Sequence, residues 1–153
     1  MSEDDDGLGE KIAAFLESDP IGVAGASQDP SKYGHRVLAA LLASERRAIP
    51  VHPKEKEILG AATVPSVGDL PRGTRALSLI TPPPVTEKIV ADALALGFDR
   101  FWLQPGAESP AAISAAEAAG AAVIAGGPCI LVSLAQERGR REAARGKGGS
   151  RGG

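Results

Sequence analysis

Pro20-Ile21-Gly22-Val23-Ala24-Gly25-Ala26-Ser27 is the stretch whose reading decides the fold. A short apolar run ends in glycine and small residues, passes through a polar loop to Gly34, and enters an apolar helix. That order is the first strand-turn-helix of a nucleotide-binding parallel sheet. Gly25 and Ala26 carry little or no side chain, so the backbone can approach a ligand, and the following helix offers an anion unpaired N–H groups and the positive end of its dipole. The G-x-G-x-x-G fingerprint is not met, because Gly22 and Gly25 are three apart and Gln28 stands where a third glycine is expected. A glycine turn that only packs strand on helix is the alternative.

Working outward, Leu8, Ile12, Phe15 and Leu16 recur at helical spacing before Asp19-Pro20, predicting a helix across the sheet or its edge. Val37, Leu38, Leu41 and Leu42 form the apolar stripe of the helix after Gly34. Ala48-Ile49-Pro50-Val51 is a second strand that delivers His52, Pro53 and Lys54 at its C-terminal end. A sheet that binds NAD places an acidic residue near that point for the ribose hydroxyls. Lys54 there instead favours an extra ribose phosphate, as in coenzyme A or NADP, unless it is an ordinary solvated lysine.

A turn-rich connection follows over 57–66, with room for a small strand, and Val67 to Leu70 reads as a helical turn. Ala76-Leu77-Ser78-Leu79-Ile80 is a third strand and runs into Thr81, Pro82, Pro83 and Pro84, which form either a stiff wall beside a crevice or a rigid strand-to-helix connection. Val85, Ile89, Ala93 and Leu96 mark the next helix, stopped at Gly97. Arg100-Phe101-Trp102-Leu103 is a strand, Ser109-Pro110 caps a helix with Ile113 inward, and 121–125 is the last strand before a short apolar segment ending near Ala135.

Strands alternating with helices predict an α/β, Rossmann-like three-layer domain with a mostly parallel sheet flanked by helices. The loops at 25–34, 52–54, 81–84 and 104–108 then leave one edge of the sheet together. That edge gathers Gly25, Ala26, Ser27, Lys32, Tyr33 and Gly34 with His52, Pro53, Lys54, Thr81, Pro82 and Gln104 as candidate contacts. Tyr33 is the sole tyrosine and is read as packing on a nucleotide or a helix end.

The 153 residues make one domain by size, at 43% hydrophobic and net charge −2, with no broad basic field for nucleic acid. No apolar run approaches spanning length and the acidic start is unlike a signal peptide, so no membrane is expected and the chain is read as cytoplasmic. Residues 1–7 are read as a flexible acidic start, 8–136 as the ligand-binding domain, and 137–153 as a flexible basic Gly/Arg-rich tail. Cys129 is the single cysteine, which excludes an internal disulfide and a cysteine-built metal site; it is a small buried hydrophobe or a thiol activated by a helix terminus. Two scattered histidines do not suggest a metal cluster.

From about residue 21 to 135 the chain resembles the small, single-domain CoA-binding proteins, relatives of the CoA-binding domain of the succinyl-CoA synthetase alpha subunit. The resemblance is carried by Val23-Ala24-Gly25-Ala26-Ser27, Ile49-Pro50-Val51-His52-Pro53-Lys54, Val64-Pro65-Ser66, Trp102-Leu103-Gln104-Pro105-Gly106-Ala107 and Cys129-Ile130. This chain departs from the family pattern at His52, where asparagine is frequent, and at Gly127-Pro128, where aspartate-arginine precedes the cysteine.

The resemblance implies coenzyme A as ligand, with the 25–27 turn near the pyrophosphate, Lys54 near the ribose phosphate, and Gln104 in a polar lining of the same crevice. The expected function is non-catalytic binding of CoA or an acyl-CoA, since no nucleophile and base are paired and no further domain is present to carry a phosphorylated histidine. An NAD(P)-binding oxidoreductase or redox-sensing domain is the alternative, against which stands the lack of a Tyr-x-x-x-Lys pair. A homodimer or an unknown protein partner is left open.

Overall fold

The computed structural model describes residues 3–152, with side-chain burial over 7–145. Five parallel strands form the sheet: β1 (Ile21–Ala24), β2 (Ala48–Val51), β5 (Ala76–Leu79), β6 (Arg100–Leu103) and β7 (Ala122–Ile124), in the order β2-β1-β5-β6-β7. Between β2 and β5 lie a small antiparallel hairpin, β3 (Glu57–Ile58) and β4 (Ala61–Ala62), and a 3-10 turn over Val67–Asp69. Ile21 is level with Ala48 on one side and Ala76 on the other, and Ala76 continues the row to Arg100.

Helices cover both faces, which is why the strands read as unbroken apolar runs. Alternate residues of each strand feed two separate cores. Ile21, Val23, Ala76, Trp102 and Ile124 pack under α1 (Glu3–Leu16), α2 (Tyr33–Ala43) and α5 (Ile130–Gly152). Leu77, Leu79, Phe101, Leu103 and Val123 pack under α3 (Pro83–Ala95) and α4 (Pro110–Ala118). The Trp102 ring meets Phe15 edge-on at 5.3 Å, and its Nε1–H donates to Pro128 O at 3.0 Å.

Several boundaries differ from the sequence reading. α3 begins at Pro83 because two prolines occupy its first turn, where no N–H is needed. Its buried face is Thr86, Val90 and Ala93; Val85 and Leu96, two of the four residues that mark the helix in the sequence, are 44% and 55% exposed. Thr86 can be buried because its hydroxyl pairs with that of Thr81 at 2.7 Å. On α4 the buried positions are Ala112 and Ala116, with Ile113 partly buried.

The ends are helical where extensions were expected. α1 starts at Glu3, and α5 continues past 135 to Gly152; residues 1–2 and 153 lie outside the described residues. The domain boundary at 136 does not coincide with a break, since Glu137 on α5 receives both Arg46 Nη1 at 2.9 Å and Nη2 at 2.7 Å. Arg46 Nε also donates to Leu16 O at 2.8 Å, so one guanidinium ties the last turn of α1 to α5. Among the described residues no helix is long and apolar enough to cross a membrane.

Candidate functional site

β1 lies between β2 and β5, so the chain leaves its carboxyl end first to one side and later to the other. Ligands of open parallel sheets sit at such a point, outside the carboxyl ends of the strands. A cleft of about 460 Å³ opens there, with Ala24, Gly25 and Ala26 from β1 and its turn, Val51, His52 and Pro53 from the end of β2, Pro65, Ser66 and Val67, and Thr81 after β5. α3 closes it with Val85, Lys88, Ile89 and Asp92. Hollows of similar size lie between α2 and α5 and at the outer side of β7, away from the strand ends that build the cleft.

The glycines serve packing first. Gly25 has φ +95°, and a Cβ on it would run into the Ile80 carbonyl, the oxygen first and the carbon at 2.6 Å. A Cβ on Gly34 would strike the carbonyl of Gly25, with that carbon at 2.9 Å. The start of α2 thus rests directly on the β1 turn, and both glycines are required by protein backbone before any ligand enters. Lys32, the N-cap of α2, makes no side-chain cap, so the first-turn amides are not taken by it.

The loop between β1 and α2 is held by its own polar side chains. Ser31 donates its N–H at 2.9 Å and its hydroxyl at 2.8 Å to Asp29, and these bonds hold the Asp29 carboxyl below the ordinary value. Asp29 N donates to Ser27 Oγ at 3.1 Å, and His35 Nδ1 lies 2.8 Å from Ser27 O. Lys32 is exposed and Ser27 half-buried, and neither lines the cleft.

At the end of β2, His52 Nδ1 accepts the N–H of Lys54 and of Glu55, both at 3.0 Å. The imidazole does there what a side-chain carbonyl oxygen does in an Asx turn, and the bond fixes the neutral ring's proton on Nε2. His52 and Pro53 line the cleft; Lys54 is exposed on the loop beyond them, outside the lining. Thr81 lines it while Pro82 is the N-cap of α3 and does not, so the proline run acts as the strand-to-helix connection.

Tyr33 and Gln104 form a second cluster away from the cleft lining. Gln104 is fully buried at the end of β6; its Oε1 accepts Ile130 N at 3.1 Å and Tyr33 Oη at 3.2 Å, and its Nε2 donates to Ser78 Oγ at 3.3 Å. The Tyr33 hydroxyl also meets Cys129 Sγ. Burial, then this bond, pushes the Tyr33 phenol well above its ordinary range, so it stays protonated. Gln104 therefore anchors the start of α5 rather than presenting an amide to the cleft. Cys129 is half-buried and immediately precedes α5.

The structure brings Gly25, Ala26, His52, Pro53 and Thr81 together in one cleft. It adds Lys88 and Asp92, which the sequence reading passed over. Their signal was present: Val85, Lys88, Ile89 and Asp92 stand at i, i+3, i+4 and i+7, one stripe of a helix, but two of the four are charged, and only the apolar pair entered the helical pattern. Among the described residues no group of three His, Cys, Asp or Glu is placed to hold a metal ion.

Residues 19–135 match the protein family described as the CoA binding domain. Similar solved structures include a conserved hypothetical protein from Pyrococcus furiosus, 36% identical over 75% of this chain and 98% of its own, with a TM-score of 0.71. A Thermus thermophilus protein is 31% identical over 83% of this chain and 96% of its own, at 0.75. The dinucleotide forming acetyl-coenzyme A synthetase 1 of Ca. Korarchaeum cryptofilum is 26% identical over 72% of this chain but only 26% of its own, at 0.62. With its cleft at the switch point of a five-stranded parallel sheet, this chain belongs to the CoA binding domain family.

Proposed function

We propose that this protein is a non-catalytic binder of coenzyme A or an acyl-CoA, acting in the cytoplasm. The observation that carries the reading is the cleft at the carboxyl ends of β1, β2 and β5 in a chain of this family. Val51, Val67, exposed Val85 and Ile89 give it apolar walls suited to a purine ring, and exposed Val85 has no packing role to explain its character. The turn at 25–27 with the uncapped first turn of α2 takes the pyrophosphate, and Lys54 extends from the β2 loop to the ribose phosphate.

Two polar groups of the cleft, on His52 and Thr81, are committed to structure. His52 Nδ1 is filled by two amides and the Thr81 hydroxyl by Thr86, so neither is poised as a base beside a nucleophile. The role is therefore to hold the cofactor, not to transform it.

Thermal unfolding with CoA, dephospho-CoA, acetyl-CoA, NADH and NADPH tests the reading. At a hundredfold excess over Kd, CoA is expected to add about 2.7 kcal/mol, or roughly 5–10 °C, with dephospho-CoA distinctly weaker. Stabilisation by NADPH and not by CoA overturns the ligand; release of free thiol from acetyl-CoA during incubation overturns the non-catalytic role.

A further inference from the structure

α3 presents one cation to the cleft, Lys88, and among the described residues it is in no ion pair. Lys88 and Asp92 both line the wall, four residues and so about 6 Å apart along the helix axis. Glu87, the remaining acid of α3, is turned to α4, where it accepts the Ser109 hydroxyl at 2.7 Å. The ion pairs among the described residues are Arg46–Glu137, Arg47–Asp19 and Arg75–Asp99, so Lys88 reaches the cleft without a carboxylate partner.

We propose that Lys88 is a specificity-determining residue of the CoA site, holding the 3′-phosphate of the adenosine end from the α3 wall in concert with Lys54 on the β2 loop. The inference rests on the CoA reading above. A phosphate dianion entering a cleft walled by Val51, Val67, Val85 and Ile89 loses water and needs a counter-charge, and Lys88 is the cation placed in that wall. Asp92 sets the direction. Its carboxylate repels a phosphate from its own end of the wall and accepts a hydrogen bond from a neutral donor, as the exocyclic amine of adenine is, so the phosphate lies at the Lys88 end. CoA is thereby favoured over its analogue without that phosphate.

Calorimetric titration of the full chain with CoA and with dephospho-CoA tests this. Lys88→Gln, which keeps length and removes charge, is expected to lower CoA affinity about tenfold. Dephospho-CoA affinity stays within about twofold, and Lys88→Arg retains the wild-type preference. Lys88 is exposed, so the unliganded melting temperature of the variant is expected to match wild type and separates loss of contact from loss of fold. An unchanged CoA to dephospho-CoA ratio in Lys88→Gln, or equal weakening of both ligands, overturns the role of Lys88 and leaves the CoA reading standing. Failure of the wild-type protein to bind CoA overturns the CoA reading itself.

Discussion

His52 shows how one side chain can occupy a ligand-facing position and still be doing backbone work. Its Nδ1 accepts two consecutive N–H groups of the β2 loop, the task an asparagine carbonyl oxygen performs in an Asx turn. The frequent asparagine of the resemblance and the histidine here are thus alternatives for one turn. His52→Asn is expected to melt within about 2 °C of wild type, whereas His52→Ala loses both bonds and about 1 kcal/mol, read by urea unfolding. Gly34 is the stricter position. Gly34→Ala places a methyl against the Gly25 carbonyl, backbone against backbone, and is expected to cost roughly 2–4 kcal/mol in the same experiment. Both histidine and glycine were legible as residues that matter; the sequence assigned them to a ligand because it shows a residue's place in the chain and not its nearest atom.

Among the elements, α5 departs furthest from its sequence. Beyond Ala135 its composition is basic and glycine-bearing, with no apolar stripe to argue for burial, yet it joins the body of the domain through Glu137. The pair with Arg46 is largely shielded, at 14% and 19% side-chain exposure. The Arg46 hydrogen bonds, against an opposing effect of burial and aided by the charges of Arg46, Arg141 and Arg140, hold the Glu137 carboxyl below the ordinary value. A carboxyl depressed in the folded state contributes stability above its unfolded pKa, near 4.3, and that contribution fades as pH falls through the lower folded value. Glu137→Gln is therefore expected to cost about 1 kcal/mol at pH 7, discounted for residual access of water. The gap between variant and wild-type melting curves should close from about pH 5 to pH 3; a gap that persists at pH 3 shows that the lost contribution is not ionic. α3 teaches a related lesson. Its apolar positions were legible, but Val85 and Ile89 line a cleft while Thr86 is buried, because a hydroxyl satisfied by Thr81 can enter the interior.

For the whole molecule, the sheet was the most legible part. All five parallel strands lie where short, mostly apolar runs end in glycine, proline or a polar loop, since a strand covered on both faces is apolar at most consecutive positions. Right-handed crossovers then bring the β1, β2 and β5 loops to one edge, which is why five of the twelve candidate residues meet in the cleft. The other seven lie outside its lining for reasons of three-dimensional packing. Tyr33 and Gln104 turn to the α5 side, where Gln104 accepts the Ile130 N–H and Tyr33 meets Cys129, a contact spanning 96 residues that no local pattern encodes.

By itself, then, the sequence determined the alternation of strands and helices, the parallel sheet and the edge at which its loops gather, because these follow from periodicity, chirality and turn chemistry read along the chain. Only the tertiary structure decided that Gly25 and Gly34 make room for backbone, that Gln104 is an interior anchor, and that Lys88 and Asp92 stand in the cleft. Each of those depends on the face an element turns to a neighbour distant in sequence, and that rotation is set by packing.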